Sequence, residues 1–323
     1  MLFTNEIKTK FSLCPSPYSA NLDPFLMYSM FLRTLLPAEI KADLNRLKSG
    51  QVNMIQLTPV TDMIEQTPTP CDDKVIGAKP DFFTEGVMGA IAAELGDIFG
   101  YKEKNGFVIH DIFPIPGLEH SQTGANSKSV LSFHSDGSTH PIITPDYLIL
   151  YCIKPDRAAC NHISFLPDLL QHMPGDLFQI LTQDRFAHQV DIELAVENKN
   201  SFVIQPIILR EGNELILKYD GDLVTGLDKE SEQAITELNA LIAKTAVEVH
   251  NQANSVLILN NKKAVHARSA FDPRFDGTDR WLQSAFVSKT PLPNGHVIDI
   301  QDRRGLDVPS HAKTTARDDI LAY

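Results

Sequence analysis

Two segments far apart in the chain carry the residue types that could do chemistry. In Leu131-Ser-Phe-His-Ser-Asp-Gly-Ser, His134 and Asp136 stand two positions apart, so on an extended chain their side chains project to the same side. An imidazole and a carboxylate together suit a borderline-to-hard divalent metal, and one more His would complete a ligand face that leaves coordination positions open. Standing alone, the pair reads more readily as a polar turn than as a metal site. The second segment runs from Asn260 to Leu282, after the apolar run Val256 to Leu259, and places His266 just beyond that run. Arg280 follows fourteen positions later and opens another apolar run, where a hairpin could return its guanidinium toward His266. A rigid fork of donors is the receptor a carboxylate needs.

These residues need elements to carry them. Pro37 to Leu47 puts Ile40, Leu44 and Leu47 on one helical face ahead of Gly50; Val87, Ile91, Leu95 and Ile98 repeat at helical spacing, as do the apolar residues of Glu232 to His250. Elsewhere the pattern is short apolar runs between turn residues: Asp146 to Ile153, Phe202 to Leu209, Glu214 to Tyr219, Val256 to Leu259 and Trp281 to Val287. Many strands with few helices between them favour antiparallel sheets over a doubly wound one, because parallel strands need a crossover each time. The expected architecture is α+β, a jelly roll with flanking helices. Thr67 to Lys79, rich in Pro, Asp and Thr, reads as an irregular loop.

At this point the sequence resembles a known family, the clavaminate synthase-like branch of the taurine dioxygenase superfamily of Fe(II)/2-oxoglutarate oxygenases. The resemblance runs from about Phe31 to Val287 through LPAEIKADLNRL, GDIFGYKEKNGFVIHDIFPIPG, FHSDGSTHP, PDYLILYC, LKYDGDLVTG and VHARSAFDPRFDGTDRWL. It implies a double-stranded β-helix core and one domain over 1–323, with an N-terminal extension of about 1–80 packed on it. It makes His134, Asp136 and His266 the iron ligands and Arg280 the clamp on the distal carboxylate of 2-oxoglutarate. It also implies a hydroxyl beside that carboxylate, matched here by Ser164, with His162 the rival. Fe(II) is then the cofactor, with 2-oxoglutarate and O2 as cosubstrates. Three protein ligands leave room for the 2-oxo acid and O2.

The same resemblance makes Asp220 and Asp222, in Lys218-Tyr-Asp-Gly-Asp-Leu, the holders of a cationic or amine group of the substrate; read as bare sequence they are a turn between strands. The clavaminate synthase-like branch carries Glu where this chain has Asp136, and the wider superfamily Asp. Halogenating relatives put a small residue there, so Asp136 argues for oxygen transfer. Several relatives carry a second Arg four positions after the first, for the substrate's carboxylate, and here that position is Ser284. Either Arg268 or Arg274 takes over, or the carboxylate is masked as an amide, peptide or carrier-bound ester. His140 reads as structural. Alternation turns Trp281 away from Arg280 into the core, and Lys262-Lys263 reads as a solvated turn.

Composition bounds the rest. A net charge of -12 over 323 residues argues against a polyanionic partner such as nucleic acid. No apolar stretch is long enough to cross a bilayer, and the first residues lack an export pattern, so a cytoplasmic enzyme is expected. Four scattered cysteines suggest neither a zinc site nor a disulfide framework. Oligomeric state is not legible. The expected activity is hydroxylation of an unactivated C–H bond in an amino acid or derivative, a basic one such as lysine or arginine included. The alternatives are desaturation or cyclisation on a carrier-bound, amidated or peptide substrate, and a metal-binding jelly-roll protein without turnover, against which Arg280 argues.

Overall fold

The computed structural model describes residues 3–72, 78–121, 123–140, 143–190, 201–292, 295–299 and 313–316. Its helices are α1 (Asn5–Ser12), α2 (Asp23–Thr34), α3 (Ala38–Lys48), α4 (Phe83–Leu95), α5 (Leu166–His172), α6 (Gly175–Leu181) and α7 (Lys229–Thr245). The strands of the first half are β1 (Met54–Leu57), β2 (Asp97–Tyr101), β3 (Ile109–Ile112), β4 (Leu131–His134), β5 (Tyr147–Lys154) and β6 (Asn161–Phe165). Next come β7 (Phe186–Gln189), β8 (Ser201–Gln205), β9 (Ile208–Glu211), β10 (Glu214–Leu217), β11 (Val224–Gly226) and β12 (Val247–Val249). The last are β13 (Val256–Asn260), β14 (Ala264–Arg268), β15 (Trp281–Ser288), β16 (Val297–Ile298) and β17 (Lys313–Ala316).

Helices and mainly antiparallel sheets thus share the chain. A large sheet runs β1-β13-β5-β15-β2-β16, with β3 also paired to β15; a smaller one runs β12-β6-β14-β4. A further four-stranded sheet runs β11-β7-β8-β17, and β9 pairs with β10. Only β16 with β2 is a parallel pairing among the described strands.

Side-chain alternation explains why β5 is an unbroken apolar run. Tyr147, Ile149, Tyr151 and Ile153 join Phe11, Phe25, Leu32, Leu44 and Val87 of the N-terminal helices in one core. Leu148 and Leu150 point the other way, into a second core shared with Ile163 of β6, Ala264 of β14 and Phe286 of β15. Both faces of the large sheet are covered, so neither set of residues can be polar. A third core lies under α5, α6 and α7 and takes Val265 from the far face of the small sheet.

Two expected helices stop short. α4 ends at Leu95 and Ile98 lies in β2. A Cβ at Gly96 would collide with the Ser288 carbonyl, so glycine there lets the chain leave the helix directly beside β15. α7 ends at Thr245 and Val249 lies in β12; the β-branched residues of Thr-Ala-Val-Glu-Val suit a strand, and Val249 met the helical spacing only by coincidence. Of the Thr67 to Lys79 loop, 73–77 lie outside the described residues; the rest carries no helix or strand. Lys262 and Lys263 are not solvated: Lys262 pairs with Asp146 at 3.0 Å and Glu211 at 2.6 Å, and Lys263 with Glu214 at 2.9 Å.

Candidate active site

β4 and β14 are neighbours in the small sheet, with His134 directly opposite His266. Their rings lie 4.3 Å apart between centroids. Alternation along β14 sends Val265 to the helical core and His266 to the opposite face, toward the large sheet. Asp136 follows β4 in a turn, and its Oδ2 lies 3.4 Å from His266 Nε2. One donor atom from each of the three residues falls within 4.8 Å of the others. Adjacent donors on an octahedral ion at about 2.1 Å are about 3 Å apart, so the three need little movement to share one ion.

The backbone fixes these side chains. His134 Nδ1 sits 2.8 Å from the Ser132 carbonyl; a proton on Nδ1 donating there leaves the Nε2 lone pair for a ligand. Asn261 clamps the turn from both sides: its Oδ1 accepts from Asp136 N at 3.0 Å, and its Nδ2 donates to the Asp136 carbonyl at 2.9 Å. Gly137, at φ 62, takes a left-handed conformation, and a Cβ there would strike the Tyr101 hydroxyl. Burial, helped by the neighbouring His134, pushes the His266 imidazole down to about 4. It is therefore neutral near pH 7, the form that binds metal.

A cavity of about 500 Å³ opens from these residues and is walled on its other side by the large sheet. Alternation along β15 sends Trp281, Ala285 and Val287 to the helical core, and turns Arg280, Leu282, Ser284 and Phe286 into the cavity. Arg280 is 6% exposed and makes no hydrogen bond or ion pair among the described residues. Burial lowers its pKa to about 10, so it stays a cation. Asp220 and Asp222 line the cavity as well. Asp220 lies opposite His134 in an isolated antiparallel backbone β-bridge, Asp222 N donates to Asp220 Oδ1 at 2.9 Å, and Ser132 Oγ donates to Asp222 Oδ1 at 2.9 Å.

Ser164 is placed elsewhere. It pairs with Val265, so it shares the helical face rather than the His266 face, and its Oγ is 2.6 Å from Thr245 Oγ1 of α7. The one-residue offset from His266 is enough to turn it out of the cavity. His162 falls on the same outward face, opposite Ala267. Asn161 has the inward parity: it pairs with Arg268, lines the cavity, and has a buried Nδ2 without a hydrogen-bond partner. Arg268 holds the 126–129 segment through the carbonyls of Asn126, at 2.6 Å, and Ser129, at 2.8 Å. Arg274 lies outside the cavity, bound to Thr278 and Asp156. His140 is buried and stacked on Tyr101 at 4.4 Å, with burial pushing it down to about 3.

Sequence reasoning gave no role to Asn161 or Asn261, nor to a buried network behind the Arg280 wall. There Asp111 accepts from Trp281 Nε1 at 2.7 Å, Gln283 Nε2 at 3.0 Å and the Tyr18 hydroxyl at 2.9 Å. Glu85, fully buried, pairs with Lys79 at 2.6 Å. Inverted polarity within apolar stretches was the available signal: Glu85 opening a buried helix, and Asp111 inside a strand.

Residues 97–286 match the model of the taurine catabolism dioxygenase TauD, TfdA family. The chain is similar to L-asparagine oxygenase of Streptomyces coelicolor, 31% identical over 78% of this chain and 76% of that one. It is also similar to clavaminate synthase 2 of Streptomyces clavuligerus, 28% identical over 88% and 90%. A crystal structure of asparagine oxygenase with Fe(II), 2S,3S-3-hydroxyasparagine and succinate superposes with a TM-score of 0.80 at 24% identity, covering 91% of this chain and 95% of that one. Among the described residues no helix is long and apolar enough to cross a membrane.

Proposed function

The chain belongs to the TauD, TfdA family of taurine catabolism dioxygenases, and on that premise we propose that it is an Fe(II)/2-oxoglutarate-dependent oxygenase hydroxylating an unactivated C–H bond of an amino acid or amino-acid derivative. The observation that carries this reading is the buried Arg280 cation, without a hydrogen bond or ion pair among the described residues, in the same cavity as the His134, Asp136 and His266 donors. Burying an unpaired charge is costly, and a dianionic co-substrate explains why the site tolerates it. We read the large and small sheets as the two halves of a double-stranded β-helix, and the whole chain as one domain.

In this reading His134, Asp136 and His266 hold the iron, and two imidazoles with one carboxylate are a donor set that suits it. When bound, the iron supplies the oxidising chemistry, with 2-oxoglutarate and O2 as co-reactants. The protein's task is positioning. Arg280 takes the distal carboxylate of 2-oxoglutarate in a two-pronged contact. Asn161 Nδ2, buried and facing the cavity beside Arg268, replaces Ser164 as the second donor to that carboxylate. Asp220 and Asp222, steadied by Ser132, hold the substrate's amine or cationic side chain close to His134. The apolar wall of Leu282, Leu150 and Phe286 keeps water from the reacting carbon.

A second reading concerns the other end of the substrate. Ser284 offers the cavity no charge, Arg268 is engaged with backbone carbonyls, and Arg274 lies outside. A neutral carboxyl end, as in an amide, peptide or carrier-bound ester, fits this wall better than a free carboxylate. The test is a panel of free and amidated amino acids with polar or basic side chains, incubated with Fe(II) and 2-oxoglutarate. One product should gain the mass of one oxygen in step with succinate, and the amide should react faster than the free acid. Absence of iron-dependent succinate formation with every member and in the uncoupled reaction would defeat the oxygenase assignment; faster turnover of the free acid would defeat the second reading alone.

A further inference from the structure

The outer face of the small sheet carries a second group of metal donors that the catalytic reading leaves unused. β12 pairs with β6 so that Glu248 lies opposite His162 and Val249 opposite Asn161. One step further along, this register sets His250 opposite Cys160. Alternation then gathers Cys160, His162, Glu248 and His250 into one block on a single face. Asn161 and Ile163, of opposite parity, face the cavity and inner core. The block therefore lies across the sheet from His134, Asp136 and His266.

The donor atoms are already close. Cys160 Sγ lies 3.7 Å from His250 Nε2, Glu248 Oε2 lies 4.0 Å from the same nitrogen, and all three fall within 4.8 Å of one another. A tetrahedral zinc ion with a sulfur at about 2.3 Å and a nitrogen at about 2.0 Å holds them about 3.5 Å apart. The thiol is 7% exposed at the base, while the Glu248 and His250 side chains are 67% and 63% exposed and free to close over an ion. The residue types matter as much as the spacing: thiolate with imidazole selects zinc over magnesium, calcium or manganese.

We propose that Cys160, Glu248 and His250 form a second, zinc-class metal site on the outer face of the small sheet, where three protein ligands leave the fourth tetrahedral position to water. Its occupancy ties the three-residue strand β12, the last strand of this sheet among the described residues, to β6 through side chains as well as through the ladder. The site is independent of the iron, and its ligands include the thiolate that the catalytic set lacks.

That difference supplies the test. Full-length, iron-loaded protein carrying Cys71→Ser, which removes the exposed thiol, is titrated with Co2+ and followed by thiolate-to-cobalt charge-transfer absorption in the near ultraviolet. One equivalent should develop the band, and Zn2+ should abolish it. The band should vanish in Cys160→Ser, weaken at least tenfold in apparent affinity in His250→Asn, and survive His134→Ala. His250 is exposed, so its variant reports on binding rather than folding. No band in the Cys71→Ser protein, or a band unaltered by either Cys160→Ser or His250→Asn, overturns the proposal.

Discussion

Arg280, just ahead of β15, and Asp111, opposite Gln283 of β15, are buried ionisable residues whose removal separates structural from functional roles. Replacing Arg280 with Met removes a buried cation that Asp156 offsets only at a distance and that no ion pair satisfies among the described residues. Its unfolding midpoint should be no lower than that of the parent. The KM for 2-oxoglutarate should rise at least about a hundredfold, since losing one partner of a buried charge pair costs about 3 kcal/mol or more and each 1.4 kcal/mol is a factor of ten. Destabilisation without a change in KM would make Arg280 a structural residue. Asp111 tests the reverse case. Burial, opposed in part by Lys79, raises its pKa above the ordinary carboxylate value. Folding therefore favours its protonated form: its contribution is fully present below the unfolded pKa and is lost as pH rises through the folded one. In Asp111→Asn that loss is absent, so urea denaturation across an acid-to-neutral series should show the variant gaining stability relative to the parent as pH rises. A constant difference would mean that Asp111 keeps its ordinary titration in the fold.

At the scale of elements, the turn after β4 decides whether the carboxylate meets the two imidazoles. Strand pairing alone aligns His134 with His266, but Asp136 lies beyond the ladder and depends on Asn261 for both of its backbone groups. Asn261→Ala should therefore weaken iron retention by about 10- to 100-fold, the range for residues that orient metal ligands. His266→Ala should abolish retention; iron affinity unchanged in Asn261→Ala would show that the turn holds itself.

At the scale of the molecule, the N-terminal helices are part of the core rather than an appendage. Leu44 is fully buried and shares its cluster with Ile149, Ile258 and Val287 of the large sheet. Leu44→Ala should cost about 2–5 kcal/mol and lower the stability of the entire chain. Far-ultraviolet circular dichroism and loss of 2-oxoglutarate binding should then report one shared urea transition. Two separated transitions would mean that the extension folds as a unit of its own.

The sequence by itself determined the main apolar elements and the chemistry of the donors, although the expected strand Phe202 to Leu209 is two strands, β8 and β9, in different sheets. Apolar periodicity located β5, β13, β15 and α3 to within a residue or two, because burial of one or both faces leaves its mark on composition. The spacing of His134 and Asp136, and Arg280 at the head of an apolar run, were legible because local chain geometry sets which way neighbouring side chains point. Tertiary structure alone decided the rest. Whether Ser164 or Asn161 faces the cavity turns on strand register, where one residue exchanges the two faces. The ends of α4 and α7 were set by a glycine's approach to β15 and by β6 pairing with β12, and the roles of Asn261 and Asp111 depend on partners 93 to 172 residues away. Such contacts join segments whose sequences hold no record of each other.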